Sequence, residues 1–265
     1  MKTCIAVGLL LCGGVCFAQV APGTPPRAQA YPEPEVAAAW RGLAAGYVRK
    51  ALKDHTLDQD PVLNARVDAV MARVGAAVAA IDPRFPSVAW KAILIENFGY
   101  GAAAFPGQTI LVDATFVRTL QLNDDELALI FSHEAAHVVA GDAAVKLSFM
   151  AKFLGKEKVP TARKALLEFL AKDAYATAYR PTARLQEREA DKLGAAIFFA
   201  TGYDSKRALA VFDKLAELER SEHGADADPD SHDAAMVRKQ AVAAVLDDLQ
   251  RFQASRNPEQ AKREP

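Results

Sequence analysis

The sequence predicts a mostly helical α+β fold with one small sheet. Apolar residues at helical spacing run through most of the 265 residues, which are rich in alanine and balanced in charge. Apolar, β-branched runs typical of short strands occur at 88–97 and 109–113. A capped, mostly apolar helix is predicted soon after them, at 123–141. The small sheet should therefore lie beside this helix.

The other elements are predicted to be helices joined by short loops. Asp60 before Pro61 favours a helix start, and Pro181 with Thr182 favours another. The predicted helices cover 35–55, 61–81, 114–122, 123–141, 143–153, 161–178, 181–201, 204–222 and 234–252, and the stretch 98–108 between the strands is predicted as a loop. No internal repeat is found, so an appended helical-repeat domain is not expected.

The chain is predicted to have four parts. Residues 1–18 have the pattern of a secretory signal that is cleaved near Ala18. A mobile, proline-rich leader at 19–34, one folded domain at 35–255 and a flexible tail at 256–265 follow. The mature protein is thus expected to be exported, periplasmic or secreted, and either free or peripheral to the membrane. Retention of the signal as an uncleaved anchor is the alternative.

Composition excludes several kinds of partner and site. All three cysteines lie within 1–18, so the mature chain would have neither disulfides nor thiolate metal sites. The net charge of −1 provides no basic excess for nucleic acid, and no polybasic cluster marks contact with an anionic membrane. No integral membrane span is predicted in the mature chain.

The helix predicted at 123–141 has clear start and stop signals. Asn123 and Glu126 have the spacing of a capping box, and the acidic residues 124–126 meet the positive end of the helix dipole. Gly141 is a typical helix stop. These signals predict one continuous helix.

That helix carries the motif His-Glu-x-x-His. His133 and His137 are four residues apart, so both imidazoles lie on one face and can bind one metal ion. Glu134 lies one residue round the helix, where a carboxylate can serve as general base without binding the metal. A chance coincidence of three residue types is the alternative. Because the helix is mostly apolar and therefore buried, its polar side chains need partners, which favours the metal site.

A catalytic zinc needs a third protein ligand, and the segment QEREAD at 186–191 offers one. Glu187 and Asp191 are four residues apart and share a helix face, whereas Glu189 points away. Glu187 can bind the metal while Asp191 accepts the second ring N–H of a histidine. The alternative is a solvated, charged helix face.

Together these motifs resemble the HtpX-type and CAAX-prenyl-protease-type zinc metallopeptidases, a gluzincin family whose soluble periplasmic members include BepA-like proteases. GAAAFPGQTILVDATFV at 101–117 is similar, without a gap, to the family's NAFALPGGYIFVTRGLL. DDELALIFSHEAAHV resembles the family's nEDELAaVLgHEigHv, and Glu187 with Asp191 matches its Glu-x-x-x-Asp. The resemblance covers about 88–238.

The resemblance implies a gluzincin-type fold over 35–255 and a zinc-dependent endopeptidase with one Zn²⁺ per chain. Glu134 would activate water, and Glu187 would complete the ligand set. Substrates would be polypeptides, namely misfolded or misassembled envelope proteins. Partners in envelope-protein assembly are also implied.

An extended substrate is expected to add to an exposed edge of the small sheet, at strand 109–113. Strand addition presents a peptide backbone to a neighbouring site without requiring a particular side chain. The residues predicted to line this edge are Ala104, Phe105, Thr109, Ile110 and Leu111.

Two regions depart from the family pattern. Gly101 and Ala103 replace the usual asparagine and phenylalanine, so substrate preference is expected to differ. His232 lies in a Ser-His-Asp segment where the family has Ser/Thr-His-Pro before an arginine, here Arg238. The resemblance implies that His232 approaches the metal, as an oxyanion stabiliser or as a regulatory ligand, with Arg238 in support. A surface histidine is the alternative.

Two other functions fit the same motifs. A binding or chaperone-like protein would keep the fold and the metal without hydrolysis, although the intact Glu134 argues against it. A purely structural metal site would unfold when the metal is removed. A catalytic site built on this many helices should instead survive chelation with a modest loss of stability.

Overall fold

The computed structural model describes residues 29–223 and 235–256 of the 265-residue chain. In chain order, the described elements are α1 (Glu33–Lys53), α2 (Pro61–Ile81), β1 (Lys91–Ile95), β2 (Ala102–Phe105), β3 (Thr109–Asp113), α3 (Ala114–Thr119), α4 (Asp124–Ala140), α5 (Asp142–Leu154), α6 (Ala162–Ala171), α7 (Asp173–Thr201), α8 (Ser205–Ala208), α9 (Val211–His223) and α10 (Ala235–Arg256). This arrangement of many helices and one small sheet confirms the predicted α+β, mostly helical fold class.

The sheet has three strands in the order β1-β3-β2. β3 is parallel to β1 and antiparallel to β2. The sequence prediction missed β2 because its residues, AAAF, include three alanines, which have low strand propensity. Pairing with β3 overrides that weak local preference.

The predicted substrate edge is wrong in one respect. Thr109, Ile110 and Leu111 belong to β3, which is the central strand and has a partner on each side. Ile110 and Leu111 are also fully buried, as expected for a strand covered on both faces. Ala104 and Phe105 lie on β2, which pairs on one side only. The strand beside the site that can accept an added peptide is therefore β2.

Two hydrophobic clusters meet at the sheet. One is formed mainly by α2, α4, α7, α9 and α10, and the other by α1, α5 and α6. Alternate residues of β3 point into different clusters, with Ile110 and Val112 in the first and Leu111 in the second. Because both faces are covered by apolar side chains, the sheet is fixed in position beside α4.

The last residues of the predicted leader are part of the folded body. Tyr31 is buried and its hydroxyl donates a hydrogen bond to the Val159 carbonyl. α1 begins at Glu33, two residues earlier than predicted, and the Glu35 carboxylate accepts from the Ala162 amide at 2.7 Å. The predicted mobile leader, which ends at residue 34, is therefore too long, because these contacts fix the chain to the folded domain from Ala30 onward.

The boundary between α6 and α7 also differs from the prediction. α6 ends at Ala171, and α7 then runs for 29 residues with Pro181 inside it rather than at its start. Proline removes one backbone donor, yet Tyr179 donates its hydroxyl to Gln186 Oε1 at 2.7 Å across the proline. Packing on both sides of Pro181 thus outweighs the local stop signal.

The helix predicted at 204–222 is divided into α8 and α9. Asp204 caps α8, as predicted, by accepting a hydrogen bond from the Arg207 amide. Within 29–223 and 235–256, no helix is long and apolar enough to cross a membrane.

Candidate active site

The helix α4 supports the site and is held at both ends. Asn123 Oδ1 accepts from the Glu126 amide at 3.0 Å, and Glu126 Oε2 accepts from the Asn123 amide at 2.7 Å, which confirms the predicted capping box. Lys214 of α9 donates to the same buried Glu126 carboxylate. Gly141 ends the helix with φ +75°, a conformation that glycine adopts without strain.

His133, His137 and Glu187 converge on one point. The two Nε2 atoms lie 3.1 Å apart. Glu187, which comes from α7, places Oε2 at 3.3 Å from His133 Nε2 and Oε1 at 3.4 Å from His137 Nε2. Two ring nitrogens and a carboxylate this close together require a positive charge between them, either protons or a metal ion.

The spacing of these three groups fits a zinc ion. Zinc ligands lie about 2.0–2.1 Å from the metal, so tetrahedral angles separate two ligand atoms by roughly 3.3–3.4 Å. The separation of the two Nε2 atoms, 3.1 Å, is close to that value, and each Nε2 lies 3.3 or 3.4 Å from a different oxygen of the Glu187 carboxylate. Among the described residues, these three form a group of histidine and carboxylate side chains that could hold a metal ion.

A glycine allows α7 to approach α4 closely enough for this convergence. A Cβ atom at Gly194 would lie 2.8 Å from the Cα atom of His133, a distance that real Cβ atoms do not reach. Gly194 is seven residues, or about two turns, beyond Glu187 on α7. The glycine therefore brings the helix bearing Glu187 against the helix bearing the histidines.

Asp191 holds the ring of His133. Asp191 Oδ1 lies 3.0 Å from His133 Nδ1, and the Arg238 guanidinium donates to both carboxylate oxygens at 2.8 and 3.0 Å. Burial alone would raise the pKa of Asp191, but hydrogen bonds from His133 and Arg238 lower it overall. The carboxylate therefore stays charged and accepts from His133.

His137 is held by a different set of residues. Asp142 Oδ2 lies 2.7 Å from His137 Nδ1, and its Oδ1 accepts from Gln186 Nε2 at 2.8 Å. Gln186 in turn accepts from the Tyr179 hydroxyl. This chain of three side chains was not predicted. The available signal was the position of Asp142, directly after Gly141 and five residues after His137.

Lys146 is a second feature that sequence reasoning missed. Its ammonium lies over three aromatic rings, 5.5 Å from Trp40, 5.2 Å from Phe169 and 5.7 Å from Tyr179. Burial lowers the pKa of Lys146, while the charges of Asp142 and Glu187 oppose that change. A cation thus lies within the electrostatic range of the His137 side of the site.

The site as a whole attracts positive charge. Burial alone would lower the pKa of both histidines, but hydrogen bonds with the surrounding carboxylates raise it, in His137 to about 10. Without a metal, the imidazoles therefore hold protons. A bound dication replaces that positive charge and leaves neutral imidazoles to act as ligands.

Glu134 is not one of the three converging groups. Its Oε2 accepts a hydrogen bond from the backbone amide of Ala104 at 2.8 Å. The carboxylate therefore lies between the catalytic helix and β2. From this position it can reach a water molecule beside the metal ligands while remaining outside the ligand set.

The remaining predicted site residues are Arg238, Phe105 and His232. Arg238, which the resemblance implied as a supporting residue, donates to Asp191 and lies 3.3 Å from His133 Nδ1, contacts that the sequence did not indicate. Phe105 is buried in the second hydrophobic cluster. His232 lies outside the described residues, so both roles predicted for it stay predictions.

Residues 61–255 match the model of peptidase family M48, which covers most of the chain. The chain belongs to peptidase family M48. The family resemblance drawn from the sequence motifs is thereby confirmed. M48 peptidases are metal-dependent.

One curated relative is informative. A Vibrio cholerae protein named "Putative beta-barrel assembly-enhancing protease" is 26% identical over 182 residues, which are 64% of this chain and 36% of the relative. The chain thus spans about a third of that relative's length. The word protease in the relative's name agrees with the family match.

Proposed function

We propose that this protein is a zinc-dependent endopeptidase in which His133, His137 and Glu187 hold one Zn²⁺. The observation that carries the proposal is the convergence of these three groups at zinc-like spacing, with Glu134 next to them but outside the set. When bound, zinc lowers the pKa of a water molecule and polarises the scissile carbonyl.

The residues of the chain perform the remaining steps. Glu134 takes a proton from the attacking water and passes it to the leaving amine. Asp191 and Asp142 hold the two imidazoles in the tautomer that leaves Nε2 free to bind metal. Arg238 neutralises Asp191 and lies near the reacting groups, where a cation favours developing negative charge.

An extended substrate pairs with β2. The Ala104 amide donates to Glu134 rather than to β3, so the backbone groups of Ala104 face away from the sheet. Those of Ala102, two residues away, face the same side because a strand alternates. A peptide added at this edge passes directly beside Glu134, and internal bonds of a long chain can be cleaved there.

We also propose a substrate class and a location. The name of the Vibrio relative indicates a protease linked to β-barrel assembly. Residues 1–18 have the pattern of an export signal. Misfolded or misassembled envelope proteins, met in the periplasm or outside the cell, are the substrates that fit both observations.

Two substitutions test this function. Glu134→Gln should retain stoichiometric zinc but lose cleavage of an unfolded substrate such as casein, because the general base is removed. Glu187→Ala should lose zinc, whereas Glu189→Ala, an exposed residue on the same helix, should retain both zinc and activity. Zinc content is measured by atomic absorption and cleavage by mass spectrometry.

The outcomes separate the rival functions. Equal activity in wild type and Glu134→Gln would remove Glu134 from the mechanism. Full zinc in Glu187→Ala would contradict the ligand assignment. Zinc-loaded wild type that binds unfolded proteins without cleaving them would favour the chaperone-like alternative.

A further inference from the structure

A cavity of about 760 Å³ opens beside His133 and Glu134. Residues of β2, α3, α4, α7, α9 and α10 line it. The apolar side chains that line it include Phe116, Leu120, Ile130, Phe212, Leu215 and Val242. The proposed function places the substrate backbone along β2, so a substrate would pass beside this cavity.

The charged side chains of the cavity are mostly acidic. Asp113, Glu134, Asp191 and Glu219 contribute carboxylates to its lining. Among the described residues of the lining, Arg238 carries the guanidinium, and it already donates two hydrogen bonds to Asp191. An acidic substrate side chain would find no free cation among those described residues, and apolar walls disfavour an unpaired charge of either sign.

We propose that this cavity is a specificity pocket for one large apolar side chain of the substrate, such as phenylalanine or leucine. Because His133 and Glu134 form one end, the side chain must belong to a residue that flanks the scissile bond. The volume lies within the range of pockets that enclose small ligands, so an aromatic ring fits beside the backbone. This inference rests on the proposed function and names its substrate preference.

The size of the preference follows from apolar burial. One methylene in an apolar pocket changes kcat/KM by roughly 10- to 200-fold. Replacing phenylalanine by alanine removes more than one such group, so the selectivity should be at least about 30-fold. A glutamate at the same position should be a poorer substrate than alanine.

The first experiment maps the bonds that the zinc-loaded wild type cleaves in denatured casein by mass spectrometry. Phenylalanine, leucine, tyrosine and methionine should be enriched at one fixed position next to the cut bond. Matched peptides built on one mapped site, with phenylalanine, alanine or glutamate at that position, then give the kcat/KM ratios. Cleavage without this enrichment, or enrichment of lysine or glutamate, would overturn the pocket assignment.

The second experiment fills the pocket. Leu215→Trp places a larger side chain in the cavity, on a helix that carries no proposed metal ligand. The phenylalanine-to-alanine ratio of kcat/KM should fall to about threefold or less, with zinc content retained. Leu167→Trp, an exposed site on α6 outside the cavity, should leave the ratio unchanged.

Two controls keep the test decisive. If Leu215→Trp does not fold, as judged by circular dichroism, Leu215→Ala enlarges the pocket instead and should raise the tryptophan-to-phenylalanine ratio. An unchanged ratio in a folded, zinc-loaded variant contradicts the pocket. Zinc-loaded wild type that cleaves neither casein nor any peptide contradicts the proposed function instead.

Discussion

The two histidines of the site are held in different ways. His133 depends on a charged pair, because Asp191 is neutralised by Arg238 from α10. His137 depends on a mostly neutral chain, in which Gln186 and Tyr179 support Asp142. The contacts of His133 therefore connect the site to α10, and the contacts of His137 connect α5 to α7.

This difference predicts what substitutions near each histidine should change. Breaking a buried ion pair leaves one charge without a partner and typically costs about 3–5 kcal/mol. Breaking a neutral hydrogen bond leaves an unsatisfied polar group and costs about 1–3 kcal/mol. Substitutions near His133 should thus act mainly on stability, and those near His137 mainly on metal affinity.

The largest effect is expected from Asp191→Ala. The substitution removes the carboxylate that accepts two hydrogen bonds from the buried Arg238 guanidinium, which keeps the longer 3.9 Å contact with Glu187, and it removes the partner of His133 Nδ1. The free energy of unfolding of the metal-free protein should fall by about 3–5 kcal/mol, as measured by urea denaturation. Combining it with Arg238→Met should recover part of that loss. No recovery would show that the ion pair is not the cause.

A smaller loss of stability but a clear loss of metal is expected from Asp142→Asn. The neutral amide is a weaker acceptor for His137 Nδ1, so zinc affinity should fall about 10- to 100-fold in a competition assay with a chelator. Asp173→Asn, on the exposed first turn of α7, is the matched control and should retain wild-type affinity. Equal affinities for the two variants would contradict the role given to Asp142.

The smallest effect is expected from Lys146→Met. The ammonium contributes positive charge near Asp142 and Glu187, and its removal should make the site more attractive to a dication. Zinc affinity should rise about two- to fivefold, in the direction opposite to Asp142→Asn. A fall in affinity would show that Lys146 acts through packing among Trp40, Phe169 and Tyr179.

Features coded by neighbouring residues were predictable. The capping box at Asn123, the stop at Gly141 and the pairing of His133 with His137 depend on spacings of three to five residues within one helix. α2 and β3 were likewise placed with correct ends, because each has a local boundary signal or a run of β-branched residues. In these places local preference and tertiary structure agree.

Features that depend on distant contacts were not predictable. β2 forms because β3 is available to pair with an alanine-rich segment, and α7 continues through Pro181 because Tyr179 and Gln186 hold it on both sides. The roles of Asp142 and Lys146 require knowledge of which helix lies opposite. No spacing within the sequence contains that information.

The metal-binding groups come from helices that are far apart in the chain. The two histidines lie on α4, whereas Glu187 lies on α7, about fifty residues later. A nascent chain synthesised only as far as α6 would carry the general base but not the full set of groups that grip the ion. Under the proposed function, hydrolytic competence therefore requires α7 to pack against α4, and a copy that lacks α7 has no complete metal site.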